Sequence, residues 1–374
     1  MQKIVRTSTV PLSLDLFCRG LLRELSQEYE VVAVSSPGPA LEALSVREGV
    51  RVAAVPMRRR ISPLSDMVSL WRLTRLLRRE RPQMVHSITP KAGLLSMIAA
   101  RIAGVPVRVH TFTGLLFPTA SGLRRRLLML ADRTICRFAT HVTTEGEGVR
   151  DDLLAAGVTD GGITVLGNVR GVDLAYYSRA AVEDDAVGAL RAAEGVFTFI
   201  FVGRLVRDKG IGELAEAFAR LQAGNANVRL LIVGGREDEY PLAAATERIL
   251  SQSEGICMAG WQEDVRPWYA AADALVLPSY REGFPNAVIE AGAMGLPSIV
   301  TDINGSREIV TDGVNGTVVP ARDADALYEA MCRMCASPAR AAVMGAAARS
   351  MAAARYEQSL VRTRLKQFYK EVLG

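Results

Sequence analysis

Short runs rich in valine and isoleucine alternate along this chain with helix-length segments, and the alternation happens twice. In the first half the runs fall at Glu30–Ser35, Arg51–Val55, Met84–Ser87, Val107–Thr111, His141–Thr144 and Ile163–Leu166. Between them lie Leu14–Ser26, Leu64–Glu80, Ala92–Ala103 and Leu123–Phe138, each long enough for a helix. Strands alternating with helices in this way build a parallel sheet covered on both faces. After the acidic stretch Glu183-Asp184-Asp185 the pattern restarts, with strands expected at Val196–Val202, Arg229–Val233, Ile256–Ala259, Ala274–Leu277 and Ser298–Val300. The fold class is therefore α/β, with two doubly wound Rossmann-like domains, 1–175 and 176–355, facing each other across a cleft. A linker is expected near residues 170–195. The last segment, Tyr356–Leu373, reads as a long helix that packs back on the first domain, with Tyr356, Leu360, Leu365, Phe368 and Leu373 as contacts.

Composition agrees with two packed cores. The chain has 374 residues, 49% of them hydrophobic and 23% charged, which is the balance of an ordinary globular protein. The N-terminus lacks the apolar run of a signal peptide, and no charge-free stretch of about 18 residues suggests a membrane-spanning helix. Five scattered cysteines suit a reducing cytoplasm, and Cys332 with Cys335 reads as part of a helix face, since no second pair completes a zinc site. No GxGxxG follows a strand and no Walker sequence occurs, so nicotinamide, flavin and P-loop nucleotide chemistry are disfavoured.

Charge is unevenly spread. Arg51, Arg58, Arg59, Arg60, Arg72, Arg75, Arg78, Arg79 and Arg81 face only Asp66 and Glu80, and Arg124, Arg125, Arg126, Arg133 and Arg137 form a second cluster. Single arginines here would be solvated helix positions. Together the clusters suit an anionic partner, a membrane surface or a diphosphate. With aromatic content of 6% and no aromatics among the arginines, nucleic acid is disfavoured.

Two turns carry the chemistry. Phe201-Val202-Gly203-Arg204-Leu205-Val206-Arg207-Asp208-Lys209-Gly210 runs from a strand into a helix. It offers Arg204 and Lys209 where a phosphate would meet a helix N-terminus, with Gly203 and Gly210 allowing close approach. Pro278-Ser279-Tyr280-Arg281-Glu282-Gly283-Phe284-Pro285-Asn286-Ala287-Val288-Ile289-Glu290 is a second strand–turn–helix segment, with Pro285 expected in the helix's first turn. Glu282 stands beside the amides of Gly283, Phe284 and Asn286. Glu290, deeper, could accept two hydrogen bonds from a ribose diol, and otherwise would be half-buried without a partner.

This segment resembles the Glu-x7-Glu motif of retaining glycosyltransferases of the GT-B fold, and the whole chain resembles glycosyltransferase family 4. Gly260-Trp261-Gln262-Glu263-Asp264-Val265, Gly292-Ala293-Met294-Gly295-Leu296-Pro297 and Asp312-Gly313-Val314-Asn315-Gly316 extend the likeness. The resemblance implies a nucleotide-sugar donor, usually a UDP-sugar. It assigns Arg204 and Lys209 to the diphosphate, Glu290 to the ribose, and Glu282 to a sugar hydroxyl. Gly203, Asn286 and Ala287 border the donor, the Gly283-Phe284-Pro285 turn lines the sugar pocket, and Trp261 lies near the base. No Asp-x-Asp loop is evident, so no metal and no other cofactor is expected. Glu282, Arg204 and Lys209 are the catalytic candidates. His110 is a fourth, although relatives place the histidine directly before the glycine, where this chain has Thr113.

On the acceptor side, His86-Ser87-Ile88-Thr89-Pro90-Lys91-Ala92-Gly93 resembles a turn of family members that build lipid-linked glycans. Ser8-Thr9-Val10-Pro11 resembles those acting on polyprenyl-diphosphate sugars in capsule or O-antigen assembly. Thr9, Thr89, Lys91 and Thr113 are the acceptor candidates, Lys91 as a lone cation for phosphate. His141 reads as structural. The resemblance and the arginines together imply a cytoplasmic enzyme at the inner face of the membrane. A GT-B epimerase or phosphorylase, or a non-catalytic sugar-nucleotide-binding assembly protein, is the competing reading.

Overall fold

The structure, a computed structural model, describes residues 1–60, 62–237 and 240–374, and divides the chain into two compact units. One comprises Met1–Gly171 with Ser359–Gly374, the other Val172–Gln358.

The first unit runs β1 (Lys3–Thr7), α1 (Pro11–Cys18), α2 (Leu21–Leu25), β2 (Glu30–Ser35), α3 (Pro39–Glu48), β3 (Arg51–Ala54), α4 (Pro63–Glu80), β4 (Met84–Ser87), α5 (Pro90–Ala103), β5 (Val107–Phe112), α6 (Gly122–Phe138), β6 (His141–Thr144), α7 (Glu147–Ala155) and β7 (Ile163–Val165). All seven strands are parallel in the order β3-β2-β1-β4-β5-β6-β7. One face is covered by α4 to α7 through Leu73, Leu77, Leu95, Ile135 and Leu153. The other is covered by α1 to α3 through Leu14, Leu22, Leu41 and Leu44, and by Leu365, Phe368 and Tyr369 of the C-terminal segment.

The second unit contains α8 (Asp184–Gly188), β8 (Phe197–Val202), α9 (Ile211–Gly224), β9 (Val228–Val233), α10 (Ala244–Gln252), β10 (Ile256–Gly260), α11 (Arg266–Ala270), β11 (Ala274–Leu277), α12 (Asn286–Ala293), β12 (Ser298–Thr301), α13 (Ser306–Ile309), β13 (Gly316–Val319), α14 (Ala324–Cys335) and α15 (Pro338–Tyr356). Its six strands are parallel in the order β10-β9-β8-β11-β12-β13, so the chain reverses direction across the sheet between β8 and β11. In doubly wound sheets ligands bind outside the carboxyl ends of the strands at such a reversal.

Four local expectations are corrected. The 14–26 helix is two helices, broken at Gly20, whose φ of +74° places it in the left-handed region. Strands β1 and β13 were not anticipated. β13 is a short edge strand beginning on a glycine, and β1 carries the charged Arg6. The final helix, α16, spans Gln358–Leu373, because Glu357 leaves the helical path to bridge Val172 and Tyr356 closes α15 instead.

Arg6 is wholly buried and has no carboxylate partner among the described residues, and a directional hydrogen-bond chain explains how. Its Nη1 donates to Tyr369 Oη at 2.7 Å, and Tyr369 lies 2.7 Å from His86 Nδ1. Burial pushes the Tyr369 hydroxyl up to about 12 and His86 well below its ordinary range, so the phenol keeps its proton and the imidazole is neutral. With arginine and tyrosine donating to Nδ1, Nε2 carries the hydrogen and donates to Thr111 Oγ1 at 2.6 Å. Thr111 then meets Thr143 Oγ1 at 2.6 Å, and Thr143 donates to the His110 carbonyl at 3.3 Å. The chain crosses four strands and fastens α16 to them. Tyr369→Phe removes its hinge and leaves Arg6 and His86 each short of a partner. We expect a loss of about 1–3 kcal/mol in denaturant unfolding, against near-neutrality for an exposed substitution on α16 such as Gln367→Ala.

Candidate functional site

In the second unit the predicted donor residues gather at the carboxyl edge of the sheet. β8 is followed by Gly203 and Arg204, then a single 3-10 turn, Arg207–Lys209, leads through Gly210 into α9. Gly210 has φ +70°, and a Cβ there would stand 2.0 Å from the Pro278 carbonyl oxygen. That close approach presses the loop after β8 onto the loop after β11. Two bonds lock the two loops together, Tyr280 N to the Asp208 carbonyl at 2.8 Å and Arg281 Nε to Asp208 Oδ2 at 2.8 Å, and Tyr280 Oη donates to Glu213 Oε1 of α9 at 2.6 Å.

The consequence is a pairing that neither motif shows alone. Lys209 Nζ forms a short ion pair with Glu282 Oε1, which also accepts from Ser279 Oγ at 2.7 Å. Both charged side chains are mostly enclosed. Ser279 is held in turn by Thr301 Oγ1, which donates to its carbonyl at 2.5 Å. Lysine and glutamate therefore stand together at the point where the sheet reverses, beside the N-terminus of the 14-residue helix α9.

Glu290 lies on α12, buried at 8% exposure, and accepts from Tyr269 Oη at 3.3 Å. The expectation of a glutamate without a partner is thus corrected: a tyrosine from α11 reaches it, and also reaches the Ala287 carbonyl at 3.3 Å. Pro285 sits at the cap position of α12, just before its first turn at Asn286. Phe284 is fixed by an aromatic contact within its own unit. Its ring is buried edge-on against Tyr356, 5.4 Å between centroids, so it packs against α15 at the base of the turn. A Cβ at Gly305 would come within 2.3 Å of the Gly283 carbonyl oxygen, so the loop after β12 backs this turn closely.

Arg204 is 56% exposed and pairs with Glu237 Oε1 at 2.7 Å. Trp261, in the loop after β10, is 73% exposed, its indole available for stacking. Among the described residues no group of three or more histidines, cysteines, aspartates or glutamates is arranged to hold a metal.

In the first unit the acceptor candidates cluster at the carboxyl ends of the neighbouring strands β1, β4 and β5. Thr9 Oγ1 and Thr89 Oγ1 are 2.8 Å apart, and Ala92 N donates to Thr9 Oγ1 at 3.2 Å, tying the turn after β1 to the start of α5. Thr113 Oγ1 donates to the Ile88 carbonyl at 3.3 Å. Lys91 is not a lone cation. It pairs with Asp66 Oδ2 of α4 at 2.5 Å, an acidic partner 25 positions earlier that no local motif announces.

His110 is corrected more strongly. Its ring lies inside the sheet, 1% exposed, with Nδ1 2.8 Å from Ser87 Oγ and Phe112 edge-on at 4.5 Å. Burial pulls its pKa to about 3, so it stays neutral. A Cβ at Gly93 would lie 2.3 Å from its Cε1, so the glycine exists to seat α5 against this ring. These are the contacts of a packing residue. His141, half-buried and edge-on to Phe368, also packs.

Glu145, following β6, is a buried carboxyl that the motifs missed. It accepts from Val169 N at 3.4 Å, and burial raises it from 4.5 to about 8. Between those values the folded protein holds a proton that the unfolded chain releases, so this group's contribution is full below about 4.5 and is lost as pH rises through 8. Glu145→Gln should therefore flatten the fall in melting temperature between pH 5 and 8. Equal slopes in the two proteins would refute the assignment.

Two doubly wound units, one with a lysine–glutamate pair and a buried glutamate at its switch point, define an α/β protein with charged groups gathered at the carboxyl edge of its second sheet. The more particular assignment comes from comparison. Residues 16–169 match the family described as "Glycosyl transferase 4-like domain" and residues 196–337 the one described as "Glycosyl transferases group 1". The Escherichia coli UDP-Gal:alpha-D-GlcNAc-diphosphoundecaprenol alpha-1,3-galactosyltransferase is 31% identical over 350 residues, 89% of this chain and 87% of its own. The Staphylococcus aureus capsular polysaccharide biosynthesis glycosyltransferase CapM is 28% identical over 378 residues, 100% of this chain and 98% of its own. Anabaena Alr3699/HepE, solved with UDP and glucose, superposes with a TM-score of 0.84 at 18% identity, covering 99% of this chain and 100% of that one, which speaks to the fold. The chain belongs to glycosyltransferase family 4, has the GT-B fold, and is a glycosyltransferase of the hexosyl-transferring type.

Proposed function

We propose that this enzyme moves a sugar, with retention of anomeric configuration and without a metal, from a UDP-sugar to a polyprenyl-diphosphate-linked glycan in bacterial surface-polysaccharide synthesis. The observation that carries the reading is the Lys209–Glu282 pair at the β8/β11 reversal beside the start of α9. The relatives' acceptors and donors, diphosphoundecaprenol and UDP-Gal, favour the same classes here. So does the relative that adds N-acetylgalactosamine to a diphospho-undecaprenol sugar, at 25% identity over 280 residues.

As the anomeric C–O bond breaks, negative charge collects on the departing diphosphate. Lys209 and Arg204, with the free amides opening α9, stabilise that charge and fill the part a divalent cation would otherwise take. Glu282, held by Lys209 and Ser279, accepts from a hydroxyl of the transferred sugar. Glu290, steadied by Tyr269, accepts from the ribose diol. Trp261 stacks near the base. The acceptor hydroxyl attacks the anomeric carbon on the face the diphosphate leaves, and its proton passes to a departing phosphate oxygen. Lys91, with Thr9, Thr89 and Thr113 around it, receives the acceptor's phosphate, exchanging Asp66 for it. No described helix is long and apolar enough to cross a membrane. The arginine clusters then hold the enzyme at the anionic inner face of the membrane.

The test is a panel of UDP- and GDP-sugars offered with membrane extract as acceptor, with and without EDTA. We expect transfer of one UDP-sugar into lipid-extractable material, undiminished by EDTA, with the donor's α configuration kept in the product. Loss in EDTA would overturn metal independence, and inversion would overturn the mechanism. Nucleotide binding without transfer from any donor would favour a non-catalytic assembly role.

A further inference from the structure

Helix α4 carries two apolar stripes where a surface helix needs one. Its inner stripe, Leu73 and Leu77, is buried in the core. Its outer stripe, Leu64, Met67, Val68 and Trp71, repeats at the same helical spacing and faces solvent, with Leu64 at 81% and Trp71 at 60% exposure. Helix α6 shows a similar exposure: Ile135 is buried, while Leu123, Leu127 and Leu130 of its first half lie exposed. Large apolar side chains left open on two helices mark a surface that something else covers.

Position and charge identify what covers it. Both helices pack against α5 on one face of the sheet, and both start from the carboxyl edge of parallel strands, β3 and β5. The exposed stripes therefore occupy the halves of α4 and α6 nearest that edge. The Asp66–Lys91 pair marks the same place, since it joins the first turns of α4 and α5. The stripes are flanked by Arg58, Arg59, Arg60, Arg72 and Arg75 on one side and Arg124, Arg125 and Arg126 on the other. Between residues 57 and 79 the sole acidic residue is Asp66, already paired, and between 113 and 131 there is none. The Arg75 guanidinium lies 5.7 Å from the Trp71 ring centroid, a basic head beside an apolar body. A second copy of the chain would set arginine against arginine. A bilayer with anionic headgroups accepts apolar side chains below the headgroups and arginines among them.

We propose that the outer stripes of α4 and α6 insert side by side into the interfacial layer of an anionic bilayer, making a two-helix anchor beside the Lys91 turn. The inference rests on the membrane reading above, and adds that apolar insertion, beyond arginine attraction, supplies the hold. It also sets Lys91 close to the headgroup layer, where a lipid-linked phosphate emerges.

Flotation of the full chain with phosphatidylcholine vesicles, with and without one third phosphatidylglycerol, tests it. Two variants are compared with the parent: Leu64→Gln/Met67→Gln/Trp71→Gln/Leu123→Gln/Leu127→Gln, and Arg59→Gln/Arg72→Gln/Arg124→Gln/Arg126→Gln. All the positions are on the surface, and unchanged melting and UDP binding verify the fold. We expect the apolar variant to lose about tenfold or more of its binding to anionic vesicles at moderate salt, and Trp71 emission to be quenched by brominated acyl chains. If the apolar variant floats like the parent while the arginine variant does not, insertion is wrong and the electrostatic reading survives. If the parent fails to bind either vesicle, both are wrong. If the apolar variant only loses self-association, the stripes are a contact between copies and the anchor is refuted.

Discussion

Lys209→Ala should lower the transfer rate at saturating donor by about 10²–10³-fold while leaving the melting temperature within a few degrees of the parent. The size follows from where the charge is needed. In the ground state the donor diphosphate is already anionic and other groups share it, so removal of one cation has a modest effect on binding. As the C–O bond breaks, the added charge falls on the leaving diphosphate, and a fixed ammonium in a mostly enclosed turn is worth far more there than in water. The expected signature is a fall in kcat larger than the rise in KM. Lys209→Arg, which keeps the charge but not its compact shape, should recover part of the loss. Because Lys209 also holds Glu282, the double variant Lys209→Ala/Glu282→Ala should be less impaired than the product of the two single effects. Strict multiplicativity would mean that the pair does not act as a unit.

Gly210→Ala should reduce transfer below detection with both sheets still formed. Two independent conflicts meet at this residue. Its φ of +70° carries a penalty of about 1–2 kcal/mol for any residue with a Cβ, and the new carbon would lie 2.0 Å from the Pro278 carbonyl oxygen. That oxygen belongs to backbone, so relief requires the loops after β8 and β11 to part. Their separation breaks the Tyr280–Asp208 and Arg281–Asp208 bonds and moves Lys209 away from Glu282. A displacement of about 1 Å in reacting groups is enough for a hundredfold loss. Gly224→Ala supplies the control. It closes the far end of α9, and its added Cβ meets nothing within 4 Å. That variant should transfer at near the parent rate, while circular dichroism of both remains that of the parent.

Much of the fold was legible because parallel strands buried on both faces write themselves as continuous apolar runs. Glu30–Ser35, Met84–Ser87 and Ala274–Leu277 stand where the runs placed them. β1 and β13 escaped because neither is such a run: one carries a buried arginine, the other starts on a glycine at a sheet edge. Arg6 shows the limit well. A charged residue in a strand argues against burial unless its partners are known, and those partners, His86 and Tyr369, lie 80 and 363 positions away.

The site divided along the same line. Residues that act through local backbone geometry, such as Gly210 and the Gly283–Pro285 turn, could be read from spacing. Pairings could not. Lys209 and Glu282 are 73 positions apart and meet only because β8 and β11 are neighbours, a fact of topology rather than motif. Tyr269 gave no signal at all, and its reach to Glu290 depends on how α11 packs. The contacts of Lys91 and His110 escaped for a related reason. Each sat in a suggestive local sequence, while Asp66 and Gly93, which determine what they contact, lay elsewhere.

The central claim is that the second unit holds the donor through Glu290, Glu282 and Lys209. Calorimetric titration of UDP into the parent chain and into Glu290→Ala, at matched salt and with EDTA present, tests it most directly. The account predicts that UDP binds the parent and that Glu290→Ala weakens it by about tenfold to a hundredfold, the range for losing hydrogen bonds from a buried carboxylate to a diol. Both proteins should melt cooperatively. Equal affinity for UDP in the two folded proteins would contradict the account and move the nucleotide away from α12.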